Sequence, residues 1–105
     1  MQQRINQIQQ TYREFLELQQ KLVESQQQWQ RSVELMKELE QFYYGDDYME
    51  IRQQMDDGEE YDLTTQGEYS VMSEDALWNS FHEYQQLLWK QLRFAVSQLD
   101  REPSE

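Results

Sequence analysis

The sequence predicts an all-α protein in which a long N-terminal helix packs with a shorter middle helix and a C-terminal helix, as a helical hairpin or three-helix bundle. Three observations predict this fold class. A large apolar residue recurs at every seventh position from residue 8 to residue 43, with no Gly or Pro between them. A second apolar row, near the C-terminus, repeats about every 3.67 residues. The segment between the two rows is rich in acids and turn residues.

The first helix is predicted over residues 3–43. A companion apolar row and flanking positions widen its stripe, so the pattern indicates a broad apolar face rather than a strict zipper seam. Gln fills much of the remaining surface and keeps it helical without adding charge. The unbroken row consists of Ile8, Phe15, Leu22, Trp29, Met36 and Tyr43.

A middle helix is predicted over residues 46–55. Gly45 is expected to take the left-handed conformation that ends the first helix, and Asp46 or Asp47 to cap the second. One apolar face is shared by Tyr48, Ile51 and Met55. Residues 56–72 are expected to form an acidic loop, because turn residues cluster around Gly58 and Gly67.

The last helix is predicted over residues 73–100 and is followed by a polar tail over residues 101–105. Ser73 is expected to be its N-cap, and Met72 to pack onto Leu77. Apolar residues cover much of the circumference, so we expect this helix to contact neighbours on two sides. At 105 residues, the whole chain is expected to be one domain. The main row consists of Leu77, Phe81, Tyr84, Leu88, Leu92, Ala95 and Leu99.

The negative charge is concentrated in the middle of the chain. Residues 46–75 contain eleven acids and one base, Arg52, which gives −10 of the total net charge of −12. This composition argues against direct binding of nucleic acid, since phosphate contacts need clustered Lys and Arg. A basic protein partner, or solvent, is expected to face this segment.

Other features of the sequence favour a cytoplasmic protein. There is no cysteine, which excludes disulfides and thiolate chemistry and is typical of a reducing compartment. No stretch is apolar enough for a secretory signal or a membrane span.

The predicted helices differ in length, about 60 Å for the first and about 40 Å for the last. If the last helix pairs with the C-terminal two-thirds of the first, the N-terminal apolar positions are left uncovered. Exposed apolar rows of this length usually have a partner, so we expect self-association as a two-fold symmetric dimer. The candidate self-association residues are Ile5, Ile8, Tyr12 and Phe15.

Two short motifs resemble a known family. The first runs from Leu39 to Tyr48 and contains Phe42-Tyr43-Tyr44-Gly45-Asp46-Asp47, and the second is Val71-Met72-Ser73-Glu74-Asp75-Ala76-Leu77. Together they resemble small acidic bacterial proteins of the domain-of-unknown-function family 4298. Tyr48 stands where that family's pattern has Trp, and Met72 where it has Leu. The resemblance implies an all-helical bacterial cytoplasmic protein and brings no catalytic residue with it.

The sequence offers no catalytic constellation. The single histidine, His82, is accompanied by no Ser-His-Asp order and no nucleophile elbow. The acids do not have calcium-hand spacing, and there is no glycine-rich phosphate loop. We therefore expect no enzyme activity, no metal and no cofactor.

The leading interpretation is a protein that acts through protein–protein interaction. It is expected to self-associate, and its acidic segment to meet a basic protein or remain in solvent. The alternative is a nucleic-acid mimic that occupies the groove of a DNA- or RNA-binding protein. The candidate interaction residues are Tyr44, Asp46, Asp47, Asp56, Asp57, Glu59, Glu60 and Asp62.

Overall fold

The computed structural model describes residues 1–101 and contains three helices: α1 (Gln2–Tyr43), α2 (Asp46–Asp56) and α3 (Ala76–Leu99). The all-α fold class is confirmed, and the end of α1 packs with the other two helices. The chain divides into two compact units, Met1–Glu38 and Leu39–Glu105. Of the predicted polar tail, residues 102–105 lie outside the described part of the chain.

The first unit is helical throughout and is stabilised by side chains one turn apart. Gln2 Nε2 donates to Asn6 Oδ1 at 3.0 Å. Arg31 Nη1 forms an ion pair with Glu34 Oε2 at 3.1 Å. Such pairs each contribute about 0.2–0.5 kcal/mol to an exposed helix. Every residue from 1 to 24 is exposed, so the apolar stripe of this stretch lies open to solvent.

Gly45 makes the transition from α1 to α2. Its amide donates to the Phe42 carbonyl at 3.2 Å. Its φ of −92° and ψ of 177° are extended, so the predicted left-handed conformation is wrong. A Cβ at this position would overlap the backbone carbonyl oxygen of Gln41. Glycine is therefore required here because the Gln41 carbonyl leaves no room for a side chain.

Helix α2 begins with Gly45 as its N-cap, not with Asp46 or Asp47 as predicted. Both aspartates lie in the first turn, where the positive end of the helix dipole favours their charge. The helix extends to Asp56, one residue past the predicted end. The half-buried residues of the predicted face are Tyr48, Ile51 and Met55.

The chain between α2 and α3 is a run of turns. Gly58 and Gly67 have φ of 99° and 121°, at the two predicted turns. The prediction that Ser73 caps the last helix is wrong, since α3 begins at Ala76 with Asp75 as N-cap. Two hydrogen bonds to Ser70 explain why α3 begins later in the chain than predicted. The Ser70 hydroxyl accepts from the Met72 amide at 3.1 Å, and the Ser70 carbonyl accepts from the Ser73 amide at 2.9 Å. These bonds hold the backbone in turns.

The buried core of the second unit is small. Met72 and Leu77 are each only 5% exposed. Further along α3, Tyr84 is the last residue with partial burial, and every residue from 85 to 101 is exposed. The prediction of neighbours on two sides is therefore wrong for this half of α3.

Candidate functional site

Five rings meet where the end of α1, the start of α2 and the first part of α3 come together. Tyr43 lies in the middle of this aromatic junction. Its ring centroid is 4.9 Å from that of Tyr48 and 5.5 Å from that of Phe81. The Phe42 and Tyr48 rings meet edge to face at 5.7 Å. The members of the aromatic junction are Phe42, Tyr43, Tyr44, Tyr48 and Phe81.

Tyr44 is the exposed member of the aromatic junction. Its side chain is 73% exposed, and its ring stacks on that of Phe81 with centroids 6.2 Å apart and an angle of 24° between planes. The predicted interaction residue Tyr44 thus contacts the rings of Phe81 and Tyr43 and exposes most of its remaining surface to solvent. Offset stacking of this kind contributes about 0.5–1.5 kcal/mol per pair.

Arg52, the one base among residues 46–75, contacts the ring of Tyr48. Its guanidinium carbon lies 5.7 Å from the Tyr48 ring centroid, and Nη2 donates to the Tyr48 hydroxyl at 3.3 Å. In the part of the chain that the structure describes, no acid of residues 46–75 forms an ion pair. These carboxylates are therefore not compensated by ion pairs within the described residues.

The predicted acidic residues are exposed and belong to different elements of the structure. Asp46 and Asp47 lie at the start of α2, whereas Asp56 is its last residue and Asp57 its C-cap. The other three belong to the turns that follow. The side-chain Nε2 of Gln53 donates to Asp57 Oδ1 at 3.3 Å. The remaining acids of this set are Glu59, Glu60 and Asp62.

Asp62 is an exposed acid with a lowered pKa. Its hydrogen bonds from the Thr64 side chain and from the Thr64 amide, the latter at 2.9 Å, lower the pKa of the Asp62 carboxyl. Donors to the charged form stabilise it. This arrangement is an Asx-type turn that orders the exposed loop.

Two loop residues with structural roles were missed by the sequence reasoning. The Tyr61 hydroxyl donates to Gln54 Oε1 and so ties the loop back to α2. Ser70 builds the turns before α3. A serine two residues before Met72 is the usual signal for such a turn, but the stronger capping pattern at Ser73 hid it.

The predicted self-association residues are exposed. The exposed fractions are 58% for Ile5, 50% for Ile8, 53% for Tyr12 and 54% for Phe15. Leu16, Leu18, Leu22 and Val23 extend the same apolar strip and are also exposed. The second half of α3 also exposes its apolar row, with Leu88 at 41%, Leu92 at 51% and Leu99 at 84%.

The residues considered for chemistry lie at the surface. His82 is exposed, and its ring centroid is 3.9 Å from that of Trp78. Within residues 1–101, no three His, Asp or Glu side chains come close enough to hold a metal ion. No described helix is long and apolar enough to cross a bilayer.

A cleft of about 410 Å³ lies beside the core of the second unit. Its walls come from the end of α1, the turn at Gly67 and the start of α3. Most of the lining is apolar, with Glu68 and Ser80 as its polar groups. The lining residues are Leu39, Gly67, Glu68, Tyr69, Val71, Ala76, Leu77 and Ser80.

Comparison with known protein families matches most of the chain to one family. Residues 5–94 match the family described as Domain of unknown function (DUF4298). The chain belongs to this family. The match confirms the resemblance drawn from the two short motifs. No curated protein and no solved structure matches the chain.

In this DUF4298 chain the two motifs meet in space. The first supplies four rings of the aromatic junction and Gly45, and the second supplies the buried side chains Met72 and Leu77. Leu39 from the first motif and Val71 from the second line the same cleft. The motifs therefore build the second unit, while the exposed strip of the first unit lies outside them.

Proposed function

We propose that this DUF4298 protein acts through protein–protein interaction, without enzymatic activity, and that it self-associates as a dimer through the first part of α1. Ile5, Ile8, Tyr12 and Phe15 form the contact. The observation that carries the proposal is that every residue from 1 to 24 is exposed, including those of the apolar strip. Apolar strips of this size on soluble domains generally mark a contact surface.

The acidic segment gives a second contact for a basic protein. Residues 46–75 carry −10, and their acids have no ion-pair partner among the described residues. A cationic surface would replace the solvent ions, and it would associate faster at low ionic strength. We place the protein in the bacterial cytoplasm on the family resemblance and the absence of cysteine from the sequence.

A nucleic-acid mimic is the less supported alternative. Mimicry requires acids spread along a rigid surface at phosphate-like intervals. Here they are divided between the start of α2, its end and the following turns. Only the concentration of negative charge in residues 46–75 favours this alternative.

Light scattering with size-exclusion chromatography tests the dimer through matched variants. Ile8→Glu and Phe15→Glu place a charge in the apolar strip, and we expect both to shift the mass from two chains to one. Gln10→Glu, which adds the same charge to the opposite side of the helix, is expected to leave the dimer intact. A dimer that persists in both strip variants would contradict the proposal.

A further inference from the structure

We propose that residues 3–24 of α1 pair antiparallel with the same residues of a second copy, with the two-fold axis between Arg13 and Glu14. This inference rests on the self-association proposed above and specifies its direction and register. In this register, two residues face each other when their numbers add to 27. All but the first two residues of the exposed span 1–24 are then covered by the same span of the symmetry mate.

The apolar pattern fixes which registers are available. The strip has two rows at heptad positions, one through Ile5 and Tyr12 and the other through Ile8, Phe15 and Leu22. In antiparallel pairs of helices, a residue of one row faces a residue of the other row. The sum of 27 places Ile5 opposite the second copy's Leu22 and Tyr12 opposite its Phe15. The third layer places Ile8 opposite Gln19.

The neighbouring registers are poorer. A sum of 20 shortens the overlap and leaves Leu22 uncovered. A sum of 34 places both Gln19 and Gln26 against apolar residues and draws in Trp29, which is already partly buried. Each unpaired amide forced into an apolar contact costs about 1–3 kcal/mol. The sum of 27, which places only Gln19 of each copy against an apolar residue, is therefore favoured.

The charges of this segment suit a second copy. Three bases (Arg4, Arg13, Lys21) balance three acids (Glu14, Glu17, Glu24), so the segment is neutral although the chain carries −12. The paired segments therefore add no net repulsion to that between two chains of charge −12, and the acidic segment lies elsewhere in the sequence.

The exposed half of α3 from a second copy is a less suitable partner for the apolar strip of α1. Lys90, Arg93 and Arg101 against Asp100 give residues 85–101 a net charge of +2, which favours an acidic partner over a neutral one. The apolar row of α3 also has a period of about 3.67 residues per turn, whereas the row of α1 recurs every seven residues, or two turns. Helices with unlike periods drift apart along their length.

The area is sufficient for a stable dimer. Eight apolar side chains between Ile5 and Val23 are 43% to 63% exposed. At half exposure, side chains of this size each leave on the order of 100 Å² to be buried. Complete cover of all eight would bury about 800 Å² per copy, an upper bound that equals the typical contribution of one partner to a specific interface.

Pulsed electron–electron distance measurements on spin-labelled protein test the register. The sequence contains no cysteine, so a single introduced cysteine gives one label per chain. Gln3→Cys, Gln10→Cys, Glu17→Cys and Glu24→Cys lie seven residues apart on the side of the helix away from the strip. They therefore share the same lateral offset, and only the distance along the helix axis changes between them.

The expected pattern is long, short, short, long. The labels at 3 and 24 lie about 32 Å from their symmetry mates along the axis, and the labels at 10 and 17 about 10 Å. Equal distances at all four positions would indicate a parallel pair, and a minimum at one position alone would indicate a different register. Either result overturns the inference and leaves self-association intact. A monomeric mass for the labelled chains would overturn both proposals.

Discussion

The ring of Tyr43 meets the ring of Phe81 edge to face, with centroids 5.5 Å apart and an angle of 82° between planes. Tyr43 is the last residue of α1 and the last of the six apolar residues that recur at every seventh position. Phe81 lies one turn past the buried Leu77 of α3. This contact therefore joins two helices that are more than thirty residues apart in the sequence. The stability of the second unit is expected to depend on it.

Phe81→Ala is expected to lower the free energy of unfolding by about 2 kcal/mol, less than for a fully buried Phe because Phe81 is half-buried. Urea denaturation at a fixed chain concentration measures the change. Phe94→Ala makes the same truncation at a side chain that is 65% exposed, and it should change the free energy by no more than about 0.5 kcal/mol. Equal losses in both variants would show that the aromatic junction has no special role.

Gly45→Ala is expected to destabilise the chain by about 1–3 kcal/mol, because its Cβ would overlap the Gln41 carbonyl oxygen and force the α1–α2 connection apart. Thermal unfolding followed by circular dichroism measures this loss. Gln41→Ala is the control, since it removes an exposed side chain and keeps the carbonyl in place. A Gly45→Ala protein as stable as wild type would show that the connection relaxes at little cost.

The helices themselves could be predicted from local patterns. The unbroken row from Ile8 to Tyr43 indicated α1, because nothing in that stretch interrupts a helix. The role of Gly45 could not be predicted, since its extended backbone and the nearby Gln41 carbonyl are properties of the folded junction. The start of α3 was predicted too early, because Ser70 and Ser73 both offer hydroxyl groups to nearby amides and sequence alone does not rank them.

The candidate surfaces could be predicted only in part. The apolar row through Ile8 and Phe15 indicated a face that requires cover, but periodicity does not reveal whether the cover comes from the same chain. The structure leaves this face exposed in the isolated chain. For the acids, the sequence indicated only a concentration of charge over residues 46–75, whereas their division between the start of α2, its end and the turn at Gly58 is visible in the structure.

Thr64→Val is expected to raise the pKa of Asp62 toward its ordinary value, because the Thr64 side chain is the main cause of the lowered pKa. A lowered pKa means that this hydrogen bond stabilises the fold above the carboxyl's unfolded pKa. That contribution is lost as the pH falls through the folded pKa. Carboxyl chemical shifts in an NMR titration measure the change. Thr64→Ser retains a hydroxyl and should preserve the low pKa, so equal shifts in both variants would contradict this assignment.

Neutralising Asp56, Asp57, Glu59, Glu60 and Asp62 as Asn or Gln is expected to weaken binding of a lysine-rich peptide by about tenfold at low salt. The fold should be unchanged, because these side chains are exposed. Calorimetric titration measures the affinity, and circular dichroism measures the helix content.

A second variant serves as the control for that charge change. Neutralising Glu34, Glu38, Glu40, Glu83 and Asp100 also raises the net charge by five, from −12 to −7, but spares residues 46–75. If both variants lose affinity equally, only the total charge matters and the acidic segment is not a specific contact.

Sedimentation equilibrium of the wild-type chain tests self-association most directly. Between low and tens of micromolar chain concentration, we expect the mass to approach twice the 13.0 kDa of one chain. The apolar strip from Ile5 to Val23 would then be covered by a second copy, and the mass would fall toward one chain on dilution. A mass of 13.0 kDa that does not change over the whole range would contradict the account.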